Sequence, residues 1–205
     1  MLNVGNKSIL TNINGVSSRS IELLKRLDKN TLKHSLSVMK LAVSFAKYLK
    51  FSEDELGILR FGALYHDIGK TLISEDILNK KGSLTDLEYM EVKTHTTKGY
   101  DLLSKTIKEP EILSMVLDHH EMYDGTGYPN HKGHNELSKF TRILTICDVY
   151  DVMINKRPYK VAYDIDYAIK ELEDNANFQL DSKYVSDFLE FVYLTKKEED
   201  KAIII

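Results

Sequence analysis

An all-α fold is what this sequence predicts, and three observations carry the expectation. Apolar residues recur at i, i+3, i+4 and i+7 over several stretches long enough to be helices. Capping boxes stand directly in front of two of those stretches. No run alternates apolar and polar residues with the period of two that a half-buried strand requires. Ten glycines and three prolines in 205 residues are also few for a turn-rich β architecture.

In chain order, the first 28 residues or so read as polar and irregular, with a short helix around Ile21 to Leu27. The first long helix runs from about Thr31 to Lys50, with Leu32, Leu36, Met39, Val43 and Ala46 as its apolar stripe. A second opens at the capping box Ser52-Glu53-Asp54-Glu55 and continues through Leu56, Leu59 and Ala63 into Tyr65-His66-Asp67, with Gly69 as its stop. Thr85-Asp86-Leu87-Glu88 starts a third long helix, which carries His95 at its centre. Pro110 starts a fourth, in which Ile112, Met115, Val116 and His119 share a face. The glycine-bearing stretch from Asp124 to Gly133 is a loop. A helix over about Ser138 to Ile154 buries Phe140, Ile143, Leu144 and Cys147. Ile165, Ala168, Ile169 and Leu172 mark a short one. Val185, Phe188, Leu189 and Val192 mark the last, behind an Asp181 cap. The organisation is therefore a short N-terminal extension (1–29), one helical domain (30–195) and a charged tail (196–205).

Hydrophobic content of 42% and charged content of 29% are those of an ordinary globular chain. A formal net charge of −3 provides no global basic field, which argues against a nucleic-acid polymer as partner. One cysteine excludes an internal disulfide. No apolar run is long enough for a membrane span, and the first residues do not read as a signal peptide. A cytoplasmic protein is expected.

Chemistry concentrates in two stretches, Tyr65-His66-Asp67-Ile68-Gly69-Lys70 and His119-His120-Glu121-Met122-Tyr123-Asp124-Gly125-Thr126-Gly127-Tyr128-Pro129. Five of the seven histidines, His34, His66, His95, His119 and His120, lie in helical segments. Asp148 falls on an apolar stripe beside Cys147, a costly place for a carboxylate without a cation. Imidazoles and carboxylates on apolar helices are poor core filler, and a metal centre with more than one ion accounts for them together. The adjacent His66 and Asp67 can grip one ion, or two with Asp67 bridging. His131 and His134 sit in a polar loop and are read as solvated. Cys147 is read as core.

These motifs resemble the HD phosphohydrolase superfamily. His66-Asp67-Ile68-Gly69-Lys70 is similar to its signature. His119-His120-Glu121 with Asp124-Gly125-x-Gly127-Tyr128-Pro129 is similar to that of its HD-GYP branch. The likeness continues through Asp148-Val149-Tyr150-Asp151 and Arg157-Pro158-Tyr159-Lys160. It implies an all-helical phosphodiesterase that opens cyclic di-GMP, a bacterial second messenger. By position it implies metal ligands at His34, His66, Asp67, His95, His119, His120 and Asp148, with Asp67 bridging two divalent ions. Ligand type suits iron, manganese or zinc; the resemblance favours iron or manganese. Asn30 stands where some relatives have a glutamate that helps hold a third ion, so two ions are expected here.

A cyclic dinucleotide carries two phosphates and two flat bases. Lys70 is expected to neutralise charge at the reacting phosphate. Arg157 and Lys160 are expected to clamp the distal one, and Tyr128 to offer a stacking face. Glu121 is expected to orient a ligating histidine. The resemblance also implies a protein partner at the Gly-Tyr-Pro loop, and leaves a homodimer open. Cyclic di-GMP and a mixed guanine-containing cyclic dinucleotide both remain as substrates. The alternatives are a receptor that binds the dinucleotide without turnover, and another HD-type nucleotide phosphohydrolase. The leading residues are too few for a sensory domain, so either a stand-alone enzyme or regulation by a separate partner is expected.

Overall fold

A computed structural model describes residues 18–155 and 163–203. Every regular element among them is helical: α1 (Ser18–Leu24), α2 (Lys29–Tyr48), α3 (Glu53–Tyr65), a 3-10 turn (Ile68–Leu72), α4 (Glu75–Leu78), α5 (Asp86–Lys93), α6 (His95–Leu103), α7 (Pro110–Asp118), a second 3-10 turn (His134–Glu136), α8 (Lys139–Ile154), α9 (Ile165–Asp174) and α10 (Ser182–Ile203). Among the described residues no helix is long and apolar enough to cross a membrane.

The starts of these helices follow local sequence. Asp28 caps α2 by accepting the amides of Asn30 and Thr31. Ser52 and Glu55 form the expected reciprocal box on α3, and Thr85 and Glu88 form the one on α5. Ser138 caps α8, and Asp181 accepts the amide of Lys183 at the head of α10.

Three expectations need correction. The stripe of α2 is turned: its buried residues are Ser35, Val38, Met39, Ala42, Phe45 and Ala46, while Leu32, Leu36 and Val43 lie at the margin. The buried side of α2 therefore mixes small residues with Val38, Met39 and Phe45, and it packs against α3 and α8. Gly69 is not the stop of α3, which ends at Tyr65. It lies inside the 3-10 turn, where a Cβ would come within 1.8 Å of the His95 carbonyl oxygen, so only glycine lets the turn abut α6. The long helix expected around His95 is two helices. At Thr94 the ψ angle is −10°, and side chains compete for the carbonyls on either side. Thr94 Oγ1 donates to Glu91 O, and Thr97 Oγ1 donates to Thr94 O. His95 is therefore the first residue of α6. The charged segment from Lys196 belongs to α10, whose bounds reach Ile203.

The core is shared by all the long helices. Phe188 of α10 packs edge-on against Phe45 of α2 at 5.0 Å and against Tyr150 of α8 at 5.1 Å. Leu23, Leu24 and Leu27 are buried in the same cluster.

Candidate metal centre

All seven expected ligands converge, and they come from helix ends as much as from helix faces. His34 projects from the second turn of α2 and Asp148 from α8. His66 is the C-cap of α3, Asp67 precedes the 3-10 turn, His95 opens α6, and His119 and His120 follow α7. Local chemistry explains the preference for ends. The last carbonyls of a helix have no amide partner within it, and here imidazoles take them. His66 Nδ1 lies 2.8 Å from Ala63 O, His95 Nδ1 2.7 Å from Val92 O, and His119 Nδ1 3.0 Å from Val116 O. A carbonyl only accepts, so each Nδ1 carries the proton and each Nε2 presents a lone pair.

Those lone pairs point at one another around Asp67. Its Oδ1 lies 3.4 Å from His95 Nε2 and 3.8 Å from His119 Nε2. Its Oδ2 lies 3.4 Å from His66 Nε2 and 3.9 Å from His34 Nε2. The carboxylate thus stands between two groups of potential ligands, His95, His119 and His120 on one side and His34, His66 and Asp148 on the other. Within each group the ligand atoms lie within 4.8 Å of one another.

The donor set fits a metal. His66 Nε2 and Asp67 Oδ1 are buried without a hydrogen-bond partner. His95 Nε2 and His119 Nε2 are 3.2 Å apart with both neighbouring nitrogens committed to carbonyls, so two acceptors face each other. Buried arrangements of this kind are costly, and a cation among them removes the cost. Electrostatics agree. Burial pushes His95 down to about 3 and His120 to about 4, and holds His119 well below its ordinary value. These rings are neutral and ready to ligate. Burial opposes the charge on Asp67, but Lys70 and His66 outweigh it and keep the carboxyl ionised.

One residue of this cluster was not singled out in the sequence. Asp151 Oδ2 lies 2.7 Å from His34 Nδ1, while His34 Nε2 lies 2.8 Å from Asp148 Oδ1. Burial lowers the His34 pKa, yet the two aspartates overcome it and raise it to about 9. Asp151 orients His34 as carboxylates orient ligating histidines generally. Its signal was position: three residues after Asp148, it shares a face of α8.

Lys70 reaches the mouth of the site, its Nζ 2.7 Å from Asp67 Oδ2 and partly exposed. Tyr128 stacks on His120 with centroids 5.0 Å apart and planes at 24°. Glu121 does not touch a histidine through its hydrogen bonds: its oxygens accept the amides of Asn130, at 2.6 Å, and Lys132, at 3.1 Å. Its carboxylate faces back across the loop and takes these two amides, so it shapes the Gly-Tyr-Pro segment. Asp118, fully buried beneath the same loop, accepts from Lys132 Nζ and Ser114 Oγ. Gly127 lets the loop close, since a Cβ there would come within 2.3 Å of Met122 N. His131 and His134 are exposed, as expected. Cys147 is buried in the core. Arg157 and Lys160 lie outside the described residues.

Residues 14–184 match the HD domain family. Over 161 residues the chain is 34% identical to a cyclic di-GMP phosphodiesterase of Pseudomonas aeruginosa, covering 78% of this chain and 39% of that protein. It is 36% identical over 151 residues to the 3'3'-cGAMP-specific phosphodiesterase 3 of Vibrio cholerae, covering 74% and 33%. A cyclic di-GMP phosphodiesterase of Thermotoga maritima is 33% identical over 194 residues, covering 88% and 52%. The chain spans between a third and about half the length of these relatives. In fold it is similar to an HDG"Y"P protein from Bdellovibrio bacteriovorus, with a TM-score of 0.65 at 16% identity over 92% of this chain and 58% of that one. It is also similar to the HD domain of the L. monocytogenes phosphodiesterase PgpH in complex with cyclic-di-AMP, with a TM-score of 0.64 at 18% identity over 86% and 96%.

Proposed function

Because the chain belongs to the HD domain family and carries the motifs of its HD-GYP branch, we propose that it is a metal-dependent phosphodiesterase that opens cyclic di-GMP or a related guanine-containing cyclic dinucleotide. The main product is the linear dinucleotide pGpG. The observation that carries this reading is Asp67, whose two oxygens face separate groups of imidazole lone pairs.

His34, His66 and Asp148 with Asp67 Oδ2 would hold one divalent ion, and His95, His119 and His120 with Asp67 Oδ1 a second. The mixed imidazole and carboxylate set suits iron or manganese, with zinc also compatible. Such ions polarise a phosphoryl oxygen and lower the pKa of a water near it. The remaining work belongs to side chains. Asp151 and the helix-end carbonyls hold the imidazoles in their ligating tautomer before substrate arrives. Lys70, 2.7 Å from Asp67, places a positive charge where a phosphate entering the mouth would gain negative charge in the transition state. Tyr128 fixes the outer face of His120. Arg157 and Lys160 would take the phosphate that is not being cleaved.

The test is metal analysis of anaerobically purified protein, followed by chromatography of its products from cyclic di-GMP and 3'3'-cGAMP. Turnover to the linear dinucleotide with bound iron or manganese supports the reading. Tight binding without turnover by fully metal-loaded protein refutes it in favour of a receptor.

A further inference from the structure

Lys93 closes α5 two residues before the ligand His95. Its Nζ lies 4.8 Å from the Tyr89 ring centroid and 4.9 Å from that of Tyr128. Tyr128 in turn stacks on His120, so a row of His120, Tyr128, Lys93 and Tyr89 leads outward from the metal centre. Two properties mark this row. Lys93 makes no ion pair among the described residues, and its Nζ lies instead between two aromatic rings. Tyr89 is 50% exposed, presenting an aromatic surface to solvent beside a charged site.

We infer that Lys93 and Tyr89 form a subsite that reads a purine base of the substrate and favours guanine over adenine. This holds only if the substrate is a cyclic dinucleotide, as proposed above. The exposed ring of Tyr89 offers a stacking surface, which accepts any base because every base has a π-face. Selection falls to Lys93. An ammonium has three donors and no acceptor. Guanine presents two adjacent acceptors, O6 and N7, on one edge. Adenine presents N7 beside an amino donor. A lysine therefore satisfies the guanine edge and meets a donor on the adenine edge. The aromatic faces on either side favour a cation at this position and hold it near the mouth.

Steady-state kinetics of the full chain loaded with manganese, on cyclic di-GMP, 3'3'-cGAMP and cyclic di-AMP, test the subsite. Calorimetry with the phosphorothioate analogues of cyclic di-GMP and cyclic di-AMP supplies binding without turnover. Lys93→Gln should raise KM for cyclic di-GMP about tenfold and leave kcat within about twofold, because the lost contact is the same in ground and transition states. KM for cyclic di-AMP should stay level or fall, since glutamine matches the adenine N6 and N7 pair. Tyr89→Ala should raise KM about tenfold for all three substrates, and Tyr89→Phe should restore it. An unchanged ratio of guanine to adenine affinity in Lys93→Gln, or an effect on kcat alone, overturns the subsite while leaving the phosphodiesterase reading intact. Wild-type protein that neither binds nor cleaves any of the three overturns both. Wild-type protein that binds without cleaving overturns only the phosphodiesterase reading, and the calorimetric ratio then decides the subsite.

Discussion

Replacing Asp151 by asparagine probes how much of the site depends on a residue that need not touch the metal. Asp151 uses both oxygens: Oδ2 meets His34 Nδ1 at 2.7 Å and Oδ1 accepts from Asn155 Nδ2 at 2.7 Å. An asparagine side chain has one acceptor for these two donors. With its oxygen on His34, its amino group confronts Asn155, which is partly exposed and can turn to solvent. The fold should therefore lose less than about 1.5 kcal/mol, the net worth of one hydrogen bond. The metal centre should lose more. Removing a carboxylate behind a ligating histidine costs about 10–100-fold in metal affinity, or roughly 1.4–2.7 kcal/mol. The loss should fall on the His34, His66 and Asp148 side, because Asp151 accepts from His34, whereas His95 and His119 donate their Nδ1–H to backbone carbonyls. The assay is phosphodiesterase rate against free Mn²⁺, paired with competition against a chromophoric chelator. One of two binding events should weaken by about 10–100-fold, and saturating Mn²⁺ should restore kcat to within a few-fold. Equal weakening of both events, or a kcat that stays low at saturating metal, would refute the assignment of Asp151 to His34 alone.

Asp67→Asn should remove bound metal and lower turnover at least about a thousandfold, since metal ions supply several kcal/mol of transition-state stabilisation. Circular dichroism should remain that of the wild type, and chelation of the wild type should reproduce the inactivity; activity surviving thorough chelation sinks the mechanism. Gly69→Ala should lower stability by about 1–3 kcal/mol or more, because its Cβ would overlap the His95 carbonyl oxygen. A melting temperature and metal content equal to wild type would show that this approach is not required. Glu121→Gln should cost about 1–3 kcal/mol, as one of two backbone amides loses its acceptor. Faster proteolysis within residues 123–134 is the expected sign, and unchanged protection counts against Glu121 as the anchor of the loop. Asn30 sits exposed one turn before His34, where a carboxylate would add an anionic ligand. Asn30→Glu should raise bound metal and the conversion of pGpG to GMP together, and if neither moves, position 30 does not control metal number.

What the sequence alone determined was whatever is encoded within a few residues. The boxes at Ser52 and Thr85, the Pro110 start and the apolar faces of α7 and α8 are local patterns, and they predicted elements that the structure contains. Residue type did the same for the site, since five histidines and two aspartates on apolar helices have few uses other than metal. Tertiary structure decided everything that depends on distance in the chain. His34 and Asp151 are 117 residues apart, and no local periodicity couples them. On α2 a hydropathy stripe favours Leu32 and Leu36, whereas the helices assembled around it bury Ser35 and Ala42 and leave those leucines at the margin. Gly69 looked like a helix stop because only a neighbouring helix reveals the oxygen that excludes a side chain there. The division of the other six candidate ligands about the two oxygens of Asp67 likewise exists only once five helix segments meet. Helix propensity and capping act over one turn, while the direction in which a carboxylate points is set by what packs around it.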